Sequence, residues 1–215
     1  MTVLEPIAAH RLWAPTYDAG TNPLLALEER ALTRVLPPVA GACAADVACG
    51  TGRWARFLAA AGARVLSIDL CHEMLRRAPK PAILADARRL PLPDASVDLA
   101  ICAFALSYVG TSLSELARIT RPGGTVLVSD MHPAAVERGW TRSFRTSEGE
   151  VVAIEHRPYQ FESLSEPRLI LSALEEAYFG ESERNIFERA GRPGLFDSVK
   201  GIPAVFAARW IRYAD

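Results

Sequence analysis

The chain has 215 residues, enough for one domain with a full core, and an ordinary globular composition of 50% apolar and 23% charged residues. A formal net charge of −1 argues against a nucleic-acid backbone or an anionic membrane as main partner, and no apolar run approaches the ~20 residues that span a bilayer. Residues 1–10 carry acid and proline rather than a cationic apolar leader, and Cys43, Cys49, Cys71 and Cys102 lack metal-ligand spacing, so the expectation is a cytoplasmic protein with reduced thiols and no metal.

Residues 1–40 read as an N-terminal helical cap. Pro15 and the Asp18-Ala19-Gly20 run make 13–18 a loop, and Asn22 with Pro23 starts a helix through Leu24, Leu25, Leu27, Ala31, Leu32 and Val35 that Pro37-Pro38 stops. From 44 onward strands and helices alternate. Strands are predicted over 44–48, 64–69, 82–85, 97–103 and 125–129, and helices over 54–61, 72–78 and 113–119, with Arg121-Pro122-Gly123-Gly124 as a turn before the fifth strand. Short connections between repeated strand–helix units imply a doubly wound, mostly parallel α/β sheet covered on both faces. After Pro133 the pattern changes: strands over 141–146 and 150–158 form a hairpin around Gly149, 163–177 has helical spacing, and 178–183 and 204–213 read as late strands. The charges of 182–192 read as a solvated face. The whole is one domain, with 44–133 as its cofactor-binding core and 134–180, hairpin and helix, as a cover over an acceptor site.

The chemistry is concentrated in Asp46-Val47-Ala48-Cys49-Gly50-Thr51-Gly52, with Asp69 closing the next strand and Asp86 the one after. Glycines let a backbone close on a nucleoside, and a carboxylate accepts hydrogen bonds from a ribose diol. Gly50-x-Gly52-x-x-Ala55 also fits the dinucleotide pattern, which keeps a nicotinamide-dependent oxidoreductase as an alternative. Yet a pyrophosphate has no use for Asp46 or Asp86, whereas a phosphate-free ligand with a sulfonium, an ammonium and an adenine amine suits acids.

Taken with Ser67-Ile68-Asp69-Leu70, His72-Glu73-Met74-Leu75, Ala85-Asp86-Ala87, the proline-rich run 90–98 and Arg121-Pro122-Gly123-Gly124, the chain resembles the class I S-adenosylmethionine-dependent methyltransferases, of the methyltransferase-11 or ubiquinone/menaquinone-methyltransferase-like type. The resemblance covers about residues 32–133. It implies a Rossmann-like seven-stranded sheet, S-adenosyl-L-methionine as cofactor, and in-line methyl transfer to a small-molecule acceptor. It also implies a cofactor pocket lined by Asp46, Ala48, Cys49, Gly50, Gly52, Asp69, Leu70, Met74, Asp86, Ala87 and Ala103, with Tyr17 closing over it. Ala48 stands where the family has its first loop glycine and Ala103 where it often has a polar residue. Those departures keep a non-catalytic S-adenosylmethionine- or S-adenosylhomocysteine-binding protein as a second alternative.

His132, just past the fifth strand, is the candidate base, because ligands in such sheets bind beyond the strands' carboxyl ends. His156 on the hairpin is placed to reach the pocket mouth, and His10 and His72 read as surface residues. Arg142, Arg145 and Arg157 on the hairpin are candidates to meet an acidic substrate. The partner expected is a small molecule, without nucleic acid or membrane, and a homodimer is compatible with this reading.

Overall fold

The computed structural model describes residues 2–110 and 113–213; Met1 lies outside the described residues. In chain order the elements are β1 (Thr2–Leu4), α1 (Pro6–Trp13), α2 (Pro23–Val35), β2 (Cys43–Val47), α3 (Arg53–Ala60), β3 (Arg64–Asp69), α4 (His72–Leu75), β4 (Ala82–Leu84), β5 (Val97–Ala103), α5 (Leu106–Val109), α6 (Ser114–Ile119), β6 (Thr120–Met131), α7 (Pro133–Glu137), β7 (Ser143–Arg145), β8 (Val151–Ile154), β9 (Leu169–Tyr178), α8 (Glu181–Arg189), α9 (Pro193–Val199) and β10 (Pro203–Arg212).

The main sheet runs β4-β3-β2-β5-β6-β10-β9. It is parallel from β4 to β6, and β10 pairs antiparallel with both β6 and β9. Its central strands are apolar on both faces because helices cover both. Leu27, Leu32, Trp54, Leu58 and Phe196 pack one side, and Leu106, Leu113, Leu116 and Ile119 the other. The chain leaves β2 toward β3 and β4, then returns to β5 and β6 on the opposite flank. The crevice at such a reversal, beyond the strand carboxyl ends, is where open α/β sheets bind ligands.

Asn22 caps α2 as its position suggests, its side chain accepting from the Leu24 and Leu25 amides at 3.0 and 3.4 Å. The Arg121–Gly124 turn lies inside β6: pairing with β5 jumps from Val97↔Thr120 to Leu99↔Thr125, so these residues loop out of the ladder.

The hairpin exists as β7 and β8, with Gly149 at φ +86, but it is not isolated. β1 pairs parallel with β8, Thr2 opposite Val152, giving a three-stranded sheet that carries α1 across the carboxyl edge of the main sheet. Ala9, Trp13, Met74, Phe144, Val152 and Ile154 pack beneath it, with Trp13 stacked on Phe144 at 4.7 Å.

Two expectations are overturned in the last third. Residues 163–177 do not form a helix; most of them belong to β9. Leu169, Ile170 and Leu174 satisfy helical spacing, but this is an edge strand, covered on one face only. Ala173, Glu175 and Ala177 alternate inward while Leu174, Glu176 and Tyr178 stay exposed. Pairing along β10 overrides the local pattern. Residues 178–183 are not a strand either. Only Tyr178 belongs to β9, and α8 begins at Glu181, its entry fixed by the Gly180 amide donating to Glu183 Oε2 at 2.7 Å.

Candidate functional site

Loop 48–52 joins β2 to α3 in left-handed conformations, with φ of +55 at Ala48, +57 at Gly50 and +82 at Gly52. This curl turns the Gly50 amide onto Asp69 Oδ2 (2.7 Å), while Oδ1 accepts from the Cys71 amide (2.7 Å). Burial raises the Asp69 pKa and these amide bonds oppose the rise, so the carboxylate is fixed in orientation at the end of β3. Asp46, buried in β2, accepts from the Ala55 amide in the first turn of α3 at 2.8 Å. Burial pushes its pKa up to about 7, that amide bond and Arg53 opposing. Asp86, past β4, is gripped by Arg88 at 2.6 Å, whose hydrogen bonds lower its pKa.

These groups face a cavity of about 290 Å³ at the carboxyl ends of β2 to β5, covered by α1 and the approaches to the hairpin. Tyr17, Asp46, Ala48, Cys49, Gly50, Asp69, Leu70, Met74, Asp86, Ala87 and Ala103 all line it. Gly52 and His132 do not.

Gly52 is a glycine for another reason. A Cβ there would meet Pro79 Cδ at 2.4 Å and Ala78 Cβ at 3.1 Å, so close packing against the segment after α4 excludes a side chain. At Gly50, by contrast, an added Cβ would stand in open space. His132 caps α7: its Nδ1 accepts from the Ala134 amide (3.0 Å), which leaves the proton on Nε2, donated to Glu176 Oε1 (2.7 Å). A histidine with both nitrogens engaged, outside the cavity, has no free lone pair for an acceptor. The expectation of a base at His132 is withdrawn on this geometry.

His10, read as a surface residue, lines the cavity instead. Its Nδ1 lies 2.7 Å from the Pro6 carbonyl, which can only accept, so Nδ1 carries the proton and Nε2 the lone pair. Burial, then Arg142, lowers its pKa to about 4, so the ring is neutral near pH 7. Tyr108, just past β5, also lines the cavity, and burial raises its pKa to about 12, keeping the phenol protonated. Of the hairpin arginines, Arg142 and Arg157 line it, whereas Arg145 does not and donates to the Gly149 carbonyl at 3.1 Å. His156 does not line it. The one-helix spacing of His10 and Trp13 was the available signal for the lid face; Tyr108 is signalled only by its place beyond a strand's carboxyl end.

The acids also discriminate between cofactors. The start of α3, where a pyrophosphate would sit in a dinucleotide site, already has its Ala55 amide bonded to the Asp46 carboxylate. Arg53 beside it is paired with Glu28 and Glu29. Three carboxylates with a slot of Met74, Leu70, Ala87 and Ala103 fit a cationic, phosphate-free nucleoside such as S-adenosylmethionine.

Residues 45–128, the stretch that carries the glycine loop and the acids, match the family model described as a methyltransferase domain. The S-adenosylmethionine-dependent methyltransferase from Mesorhizobium loti superposes with a TM-score of 0.67 at 24% identity, over 89% of this chain and 100% of that one, which shows the shared fold. Among curated proteins, the malonyl-[acyl-carrier protein] O-methyltransferase of Yersinia pestis is 32% identical over 60% of this chain and 51% of its own length. The demethylmenaquinone methyltransferase of Clavibacter sepedonicus is 35% identical over 53% of each. The chain thus spans about half the length of these relatives. Among the described residues, no helix is long and apolar enough to cross a membrane, and no group of His, Cys, Asp and Glu has the geometry to hold a metal ion.

Proposed function

We propose that this chain transfers the methyl group of S-adenosylmethionine to a small-molecule acceptor bound in the same cavity. The observation that carries the reading is Asp69, a carboxylate pinned between two backbone amides at the rim of the glycine loop, with Asp46 on β2 and Asp86 just past β4 beside it. When bound, the cofactor supplies an already activated methyl group on a sulfonium. The protein then has to bind, align and exclude water.

Asp69 accepts from a ribose diol, Gly50 leaves room for the backbone to approach, and Met74 and Leu70 offer an apolar slot for adenine. A cation beside Asp46 favours its ionised form, offsetting the burial that raises its pKa. Tyr17 and α1 close the cavity from above. With His132 engaged elsewhere and His10 a weak base, the site suits a nucleophile that arrives already deprotonated, or one whose proton needs only a hydrogen-bond acceptor such as His10 Nε2. The two curated relatives carry acceptors as different as a malonyl-acyl-carrier protein and demethylmenaquinone in their names, so the acceptor is argued from this chain's own cavity below.

Calorimetry tests the reading. Wild-type protein binds S-adenosylhomocysteine, and Asp69→Ala loses about 10- to 150-fold in affinity, the worth of a charge-assisted contact of roughly 1.5–3 kcal/mol. Equal affinity of the variant removes Asp69 from the ribose. NADH binding more tightly than S-adenosylhomocysteine overturns the class. Cofactor binding without S-adenosylhomocysteine release across an acceptor screen makes the chain a binding protein.

A further inference from the structure

The cavity carries a second set of polar groups beside the three acids, centred on Arg142. Arg142, just before β7, is buried, with 6% of its surface exposed. Its guanidinium carbon lies 4.9 Å from the Phe104 ring, 5.5 Å from Tyr108 and 5.8 Å from Trp13, so aromatic faces hold the plane of the group. Nη1 donates to the Phe104 carbonyl at 2.9 Å. Nη2 is buried and has no hydrogen-bond partner. The Tyr17 and Tyr108 hydroxyls lie against the guanidinium, but no described carboxylate forms an ion pair with Arg142. Asp130, the buried acid in its neighbourhood, is committed to the Ser107 and Met131 amides at 2.9 and 2.7 Å.

A buried guanidinium keeps its charge, and one without an ion pair is costly to the fold; Asp130 supports it only electrostatically, from a neighbouring position. An anionic ligand that reaches Nη2 supplies what the chain itself withholds. The rest of the setting suits a monoanion. His10 and Tyr108 are neutral there, Tyr108 with a phenolic proton to donate, and Asp130 nearby opposes a second negative charge. Arg157, exposed at the rim, adds a cation on the approach.

We propose that Arg142 anchors a carboxylate of the methyl acceptor, so that the acceptor is a small organic acid; this rests on the methyl-transfer reading above. The test uses the whole chain, titrated by calorimetry with benzoate against benzamide, hexanoate against hexanamide, and phenyl phosphate, each with and without S-adenosylhomocysteine. Each acid is expected to bind at least about tenfold more tightly than its amide, as one charge-assisted bond requires. Arg142→Gln abolishes that preference, and Arg142→Lys restores part of it. Should the Gln variant not fold, the acid–amide comparison in wild-type protein decides alone. Equal or absent binding of acid and amide overturns the proposal, as does a preference that survives in Arg142→Gln. Tighter binding of phenyl phosphate reassigns the site to phosphate and overturns the carboxylate. Absence of S-adenosylhomocysteine binding overturns the methyl-transfer reading instead, while the titrations without it still report on Arg142.

Discussion

The parallel half of the main sheet and the cover laid over its carboxyl edge are built to different standards of burial. In the floor, Ala45, Val47, Ile68, Leu99, Ala100, Ile101 and Val126 to Val128 lie between two layers of helices and are almost wholly shielded. In the cover, three strands of three or four residues rest on one small cluster around Trp13, Phe144 and Ile154, with β1 exposing Val3 at its edge. The difference separates two tasks. The floor fixes the loop and Asp69 rigidly, whereas the cover carries Tyr17, His10 and Arg142 on an element with little to lose by opening. Small clusters with exposed backbone hydrogen bonds open at a fraction of the global stability. The proposed methyl transfer, which needs a lid that admits cofactor and acceptor, would place that lid on such an element.

The largest expected effect is in the floor. Gly52→Val places a branched side chain into Pro79 and Ala78 at a φ of +82, and about 3–5 kcal/mol of stability should be lost through overpacking and backbone strain together. Urea unfolding followed by circular dichroism reads this directly. Gly50→Ala is the matched control: its Cβ meets nothing in the protein, so the fold should lose only about 1–2 kcal/mol of left-handed strain while S-adenosylhomocysteine affinity falls. If Gly52→Val folds normally and only binding fails, both glycines serve the ligand and the packing argument is wrong.

A smaller and more local effect is expected in the cover. Phe144→Ala removes a ring stacked on Trp13 and should cost about 3 kcal/mol where it is felt. Hydrogen exchange is expected to show lost protection in residues 2–13 and 143–154, with the amides of β5 and β6 unchanged. Because the same cluster contains Met74, cofactor affinity should fall as well. That outcome would replace the division in which residues 134–180 cover only the acceptor. Uniform loss of protection across floor and cover would mean that the two are one cooperative unit.

Legibility in the sequence follows the same divide. β3 and β5 are found residue for residue, and β2, α3 and β4 to within a residue at each end, because each is a short apolar run bounded by a turn residue and needs no distant partner to be recognised. The acids and the loop follow from those boundaries. β1 is invisible because three residues gain strand character only by pairing with β8, some 150 positions away, and β9 looks helical because Leu169, Ile170 and Leu174 fall at helical spacing and only pairing along β10 makes the segment a strand. Arg142 is named among the hairpin arginines, whereas His10 is misread as a surface residue because its place beside Arg142 exists only once the three-stranded sheet has closed. His132 is misjudged because position beyond a strand does not reveal which partners, here Ala134 and Glu176, claim its nitrogens.

The smallest predicted effect concerns the one place where the loop departs from glycine. Ala48 holds φ +55, a conformation that costs an L residue roughly 1–2 kcal/mol and costs glycine almost nothing. Ala48→Gly relieves that strain but also loosens the unfolded chain, a loss of about 0.4–1 kcal/mol, so the net gain should be about 0.5–1 kcal/mol in urea unfolding. The methyl group lines the cavity, and its removal widens the space beside Asp46 and Asp69 without touching a hydrogen bond. S-adenosylhomocysteine affinity should therefore stay level or rise. A loss of stability would show that the methyl group's packing outweighs its strain. A loss of affinity with stability gained would show that Ala48 contacts the ligand, and that the loop is strained in the service of binding.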